Sequence, residues 1–174
     1  MEEKEKLVHR PRLVIAGTQS GVGKTTLVTG LLAALRTQGK TVQSFKIGPD
    51  YIDPGFHALA SGRAAHNLDS WLVPQEKLPP LFVKAAAEAD ISIIEGVMGL
   101  YDGGRQGISS TASLAKLLQA PVVLVLDAKS MGESAAATAL GFRQYDPEVW
   151  FAGVILNRVG SASHERMVRE ALER

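Results

Sequence analysis

The chain has 174 residues, with 19 Lys and Arg against 18 Asp and Glu and a net charge of +1. That leaves no basic excess to drive nucleic-acid binding by counterion release. It contains no cysteine, which excludes disulfides, thiolate metal sites and thiol nucleophiles. At 45% hydrophobic and 21% charged, with no apolar run near the ~20 residues that a bilayer span needs, the expectation is one soluble, cytoplasmic domain. The charged start Met1–Lys6 does not resemble a secretory leader. Residues 1–10 are expected to form a flexible tail and 11–174 the domain itself.

In chain order, Leu13–Ala16 is a short apolar run closed by a glycine-rich turn. Lys24 to Thr37 carries Leu27, Leu31, Leu32 and Leu35 at helical spacing, with Gly39 as the stop. Val42–Ile47 predicts a second strand ended by Gly48-Pro49, and the stretch holding Pro54, Gly55 and Gly62 predicts a loop. Pro79-Pro80 introduces a helix over Phe82–Ala89, and Ile91–Ile94 predicts a third strand. A helix over Ser110–Leu118 leads to a fourth strand, Val122–Leu126, whose unbroken apolar run implies burial on both faces. A helix at Ala135–Phe142, a fifth strand at Val149–Leu156 and a helix at His164–Leu172 complete the pattern. Apolar strands alternating with helices call for right-handed crossovers and a mostly parallel sheet with helices on both faces. Ligands of such α/β sheets bind beyond the C-terminal strand ends.

The chemistry-bearing residues fall at those ends. Gly17-Thr18-Gln19-Ser20-Gly21-Val22-Gly23-Lys24-Thr25-Thr26 follows the first strand and opens the first helix. Its glycines let backbone N–H groups turn around an anion at a helix N-terminus. Lys24 is then placed for the β- and γ-phosphates and the Thr25 hydroxyl for Mg²⁺, with Thr18, Ser20, Gly21, Val22, Gly23 and Thr26 completing the cradle. Thr18 stands where the simple motif has its first glycine, and Gly17 lies one residue earlier.

Lys46, at the tip of the second strand, is placed to face the γ-phosphate. Asp50 and Asp53 follow it in a Pro- and Gly-bounded segment, where turn chemistry is an equal explanation. Glu95 ends the third strand, where a P-loop protein puts its second Mg²⁺ contact, and Asp102 opens a Gly-Gly turn. Asn157-Arg158 ends the fifth strand. An Asn amide suits a purine edge, and it equally suits a turn. His9, His57, His66 and His164 lack metal-ligand spacing and are expected as surface histidines. Trp71 and Trp150 are expected in core or lid packing.

Five segments together, GTQSGVGKTT from Gly17, FKIGPDYIDP from Phe45, NLDSW from Asn67, EGVMGLYDG from Glu95 and GVILNRV from Gly153, resemble the ATP-binding domain of the cobyrinate a,c-diamide synthase family. The likeness runs from about Pro11 to the C-terminus, and dethiobiotin synthetase resembles the chain more distantly. The resemblance implies a P-loop NTPase-like, dethiobiotin-synthetase-like fold and ATP-dependent amidation of two corrinoid carboxylates through an acyl phosphate, in cobalamin biosynthesis. It implies ATP and Mg²⁺ as cofactors, with Lys24, Lys46, Asp50 and Asp102 as catalytic residues. Thr25, Asp53 and Glu95 would hold the metal, and Asn157 and Arg158 would contact the nucleotide. As partners it implies a corrinoid substrate, and ammonia from a glutaminase domain that would follow Arg174. It is compatible with a homodimer and involves neither nucleic acid nor membrane. Amidation of nickel-sirohydrochlorin, a P-loop switch or partitioning ATPase, and a non-catalytic nucleotide-binding fragment are the alternatives. Gln19 stands where many partitioning ATPases carry a second lysine.

Overall fold

The computed structural model describes residues 9–104 and 109–174; the expected tail therefore lies largely outside the described residues. Six strands, β1 (Arg12–Gly17), β2 (Val42–Ile47), β3 (His66–Leu68), β4 (Ile91–Glu95), β5 (Val122–Asp127) and β6 (Phe151–Asn157), form a single sheet. Its order is β3-β2-β4-β1-β5-β6, and every pairing is parallel. Helices α1 (Lys24–Thr37), α2 (Asp53–Ser61), α3 (Leu78–Ala85), α4 (Thr111–Leu117) and α5 (Ser134–Tyr145) lie in the five connections, and α6 (Ala162–Glu173) follows β6.

Side chains alternate across a strand, and the central strands use both faces. Val14, Ala16, Ile94 and Leu124 pack with Phe82 of α3 and Leu114 of α4. Their neighbours Ile15, Ile93 and Val125 pack with Val28 and Leu32 of α1. A smaller cluster joins Leu126 to Ala135 and Ala139 of α5 and Val168 of α6. Burial on both faces explains why these strands read as unbroken apolar runs.

The structure differs from expectation in three places. Residues 53–61, expected as loop, form α2: Pro54 sits in the first turn, where its missing N–H costs nothing and its fixed φ favours the helix. Gly62, at φ 73°, closes it. The segment His66–Leu68 adds an unexpected sixth strand, paired with β2 through Phe45–His66, Lys46–Asn67 and Ile47–Leu68. With three residues, it is too short for a periodicity to register. Helix α3 begins at Leu78, before Pro79-Pro80, because both prolines fit its first turn. Among the described residues no helix is long and apolar enough to cross a membrane.

Candidate nucleotide site

The loop between β1 and α1 is held from behind. Asn157 Nδ2 donates to the Val22 carbonyl at 2.7 Å, and Arg158 Nη2 donates to the Gly21 carbonyl at 2.9 Å. Arg158 Nη1 is in turn held by Asp127 Oδ2 at 2.5 Å. With these carbonyls engaged, the N–H groups from Gly21 to Thr26 have no hydrogen-bond acceptor among the described residues. Unpaired donors at a helix N-terminus, reinforced by the helix dipole, form an anion cradle. Gly23 is the N-cap at φ 98°, and a Cβ there would lie 2.5 Å from Asn157 Nδ2. Glycine is required on both counts.

Lys24 folds back over the loop. Its Nζ donates to the Met98 carbonyl at 2.5 Å and to the Gln19 carbonyl at 3.2 Å. Burial, then the charge of Lys46, lowers its pKa from the ordinary lysine value. The ammonium is thus held by neutral carbonyls and, among the described residues, has no carboxylate within bonding distance. Its charge is left for an anion at the loop.

Beside the loop, parallel pairing sets Lys46 of β2 opposite Glu95 of β4. Lys46 Nζ lies 2.9 Å from Glu95 Oε1, 2.6 Å from Asp53 Oδ2 and 3.8 Å from Asp50 Oδ2. Thr25 Oγ1, in the first turn of α1, donates at 2.8 Å to the same Glu95 oxygen and lies 3.2 Å from the same Asp53 oxygen. On the far side, His57 Nε2 is 2.7 Å from Glu95 Oε2. Burial alone would raise the Glu95 carboxyl; the His57 hydrogen bond and then the Lys46 charge outweigh it, and its pKa falls below the ordinary value. Lys46 goes the other way: burial lowers it, but the hydrogen bond to Asp53 and the charge of Glu95 prevail and raise it.

The expected residues divide accordingly. Lys24, Thr25, Lys46, Asp53 and Glu95 converge. Asp50 does local work: its Oδ1 accepts the N–H groups of Ile52 and Asp53 ahead of α2. Asp102 likewise accepts the Gly99 N–H at 2.9 Å, fixing the loop whose Met98 carbonyl holds Lys24. Asn157 and Arg158 brace the loop's carbonyls. Thr18 follows β1 directly, its N–H donating to the Val125 carbonyl. Two expectations fail, one of them in part. His57 is 0% exposed, not a surface residue, and Trp71 and Trp150 are 74% and 64% exposed, which removes the core half of the core-or-lid expectation. His57 could have been found from the sequence: once 53–61 is read as helix, Asp53 and His57 at i and i+4 share a face.

Among the described residues no three His, Cys, Asp or Glu side chains gather as a metal site. The Thr25 hydroxyl and the Asp53 and Glu95 carboxylates nevertheless form a set of hard oxygen donors. That chemistry fits Mg²⁺, which keeps waters and phosphate oxygens among its ligands.

A parallel sheet with a phosphate loop after its first strand, next to a lysine and acids at neighbouring strand ends, defines a P-loop nucleotide-binding domain. The family model for the CobQ/CobB/MinD/ParA nucleotide binding domain matches residues 13–174, and the chain belongs to that family. Hydrogenobyrinate a,c-diamide synthase of Streptomyces coelicolor is 56% identical over 165 residues, covering 94% of this chain and 34% of that protein. Cobyrinate a,c-diamide synthase of Dehalococcoides mccartyi is 49% identical over 166 residues, covering 94% and 36%. The chain thus spans about a third of the length of these relatives. Among solved structures, the signal recognition particle receptor FtsY of Elizabethkingia anophelis in complex with GDP superposes with a TM-score of 0.62 at 16% identity, over 99% of this chain and 57% of that one. The BceF tyrosine kinase domain gives 0.59 at 19% identity, over 83% and 67%. These two likenesses concern the fold alone.

Proposed function

We propose that the chain is the ATP-dependent synthetase part of a corrinoid a,c-diamide synthase, activating two ring carboxylates for amidation. A free carboxylate has too poor a leaving group for ammonia to displace. A carboxylate oxygen attacks the γ-phosphorus of ATP, the bond to the β-phosphate oxygen breaks, and ADP leaves. Ammonia then attacks the acyl carbon of the resulting acyl phosphate, the carbon–oxygen bond breaks, and inorganic phosphate leaves with the activated oxygen. The ammonia source is proposed to be a glutaminase part of the full-length protein.

The loop amides and Lys24 bind the phosphate chain. Lys46 stabilises charge on the transferring phosphoryl group, where electrostatic preorganisation contributes most. Thr25, Asp53 and Glu95 would hold Mg²⁺, which when bound neutralises phosphate charge. Asp50 and Asp102 shape the loops closing on substrate and ammonia, Asn157 and Arg158 brace the nucleotide loop, and Asn157 would read the adenine base. The observation that carries this reading is the sharing of one Asp53 oxygen and one Glu95 oxygen between Lys46 and Thr25, directly beside the phosphate loop.

The test is ATP hydrolysis with ammonium, comparing cobyrinate, its metal-free analogue and nickel-sirohydrochlorin. Stimulation by one of the two corrinoids, with amide formed, is expected. Stimulation by nickel-sirohydrochlorin alone would reassign the substrate. Hydrolysis indifferent to all three would contradict the synthetase reading.

A further inference from the structure

We infer that His57 is a positioning residue for Glu95: it fixes one carboxylate oxygen so that the other is presented to Thr25, Lys46 and the divalent cation. The inference rests on the proposed metal role of Glu95. A glutamate's terminal torsion is broad and roughly two-fold, so a carboxylate bonded at one oxygen keeps rotational freedom. Glu95 is held at both. Oε1 accepts from Thr25 at 2.8 Å and Lys46 at 2.9 Å, and Oε2 accepts from His57 at 2.7 Å. The carboxylate is acceptor-only when ionised, which makes His57 Nε2 the donor.

The imidazole has no other polar task. Its Nδ1 has no hydrogen-bond partner among the described residues, and the whole side chain is 0% exposed. Were packing its only role, an apolar side chain would fill the same space without burying a polar nitrogen. Helix α2 therefore acts twice on the site. Asp53 supplies an oxygen directly from its first turn, and His57, one turn on, sets the orientation of the Glu95 carboxylate. Partners that orient a metal ligand in this way typically govern metal affinity 10–100-fold.

The test uses this chain with a non-hydrolysable ATP analogue, following Mn²⁺ binding by EPR and folding by thermal unfolding. His57→Leu keeps the apolar contacts but removes the donor, and is expected to raise the Mn²⁺ Kd about tenfold. His57→Gln, whose amide N–H can reach Oε2, is expected to stay within about threefold of the parent. Glu95→Gln should weaken Mn²⁺ binding at least as much as His57→Leu, and adding His57→Leu to it should cost little more, since coupled pairs are not additive. Parental Mn²⁺ affinity in His57→Leu, with Glu95→Gln impaired, overturns the role of His57 alone. Parental affinity in Glu95→Gln overturns the metal reading itself. If His57→Leu does not fold, His57→Asn replaces it: this shorter amide cannot reach Oε2, and equal affinities for the Asn and Gln variants overturn the inference.

Discussion

The phosphate loop and the acid–base cluster lie at the same end of the sheet but are built in opposite ways. The loop is local and made of backbone: the consecutive residues Gly21 to Thr26 supply its free donors, and side chains from Asn157 and Arg158 only brace it from behind. The cluster is made of side chains from four elements, Thr25 of α1, Lys46 of β2, Asp53 with His57 of α2, and Glu95 of β4, with Lys46 and Glu95 set opposite each other by the pairing of β2 with β4. A backbone site tolerates changes to most of its side chains, since its donors belong to the main chain. A side-chain site has no such reserve, because each group there bonds a neighbour that would otherwise lose a partner.

The most severe break is Lys46→Met. It removes the cation from two largely buried carboxylates and, under the proposed function, from the transferring phosphoryl group. Product formation should fall roughly 100–1000-fold, as for lost transition-state donors elsewhere. ATP affinity, set by the loop, should change by less than about tenfold. Equal losses in both would show that the two regions do not act separately.

Glu95→Gln sharpens the contrast through stability. Orphaning a buried ion costs ~3–5 kcal/mol; because Asp53 still pairs Lys46, about 2 kcal/mol is expected by denaturant unfolding. The pH dependence carries a sign. Glu95 titrates below its ordinary range when folded, so its contribution is complete above the unfolded value and is lost as pH falls through the folded one. Lys46 titrates above its ordinary range, so its contribution is complete below the unfolded value and is lost as pH rises through the folded one. Stability should therefore decline at both extremes, and Glu95→Gln should flatten the acid limb.

Much of this was legible in the sequence, for reasons tied to the same contrast. The loop could be read because its ten residues are contiguous and its glycines are needed where they stand. Lys46 and Glu95 were legible as strand-end residues, since the apolar runs before them located the strands. Their pairing was not, because it depends on strand order, which local periodicity does not encode. His57 was hidden by a different fault: Pro54 and Gly55 read as loop punctuation, whereas the first turn of a helix accepts proline readily. Without α2, His57 has no face in common with Asp53. The sequence placed Trp71 and Trp150 in packing on residue type alone, and burial is a property of the assembled surface.

Two milder changes probe the loop. Asn157→Ala frees the Val22 carbonyl and should cost about 1 kcal/mol, or roughly fivefold in ATP affinity, the worth of one ordinary hydrogen bond. Calorimetric titration would check this. At the small end, Trp71→Ala should alter stability by no more than about 0.5 kcal/mol, as its side chain is exposed. A larger shift in thermal unfolding would mean that this face is packed in solution.

The most direct measurement follows one oxygen atom. With ATP, ammonium and a corrinoid carrying ¹⁸O in its reactive carboxylates, the account predicts that each amide formed sends one labelled oxygen into inorganic phosphate, visible as an isotope shift in the ³¹P spectrum. Amide formation that leaves the phosphate unlabelled would contradict phosphoryl transfer to the carboxylate, and with it the role given to Lys24, Lys46 and the acids beside them.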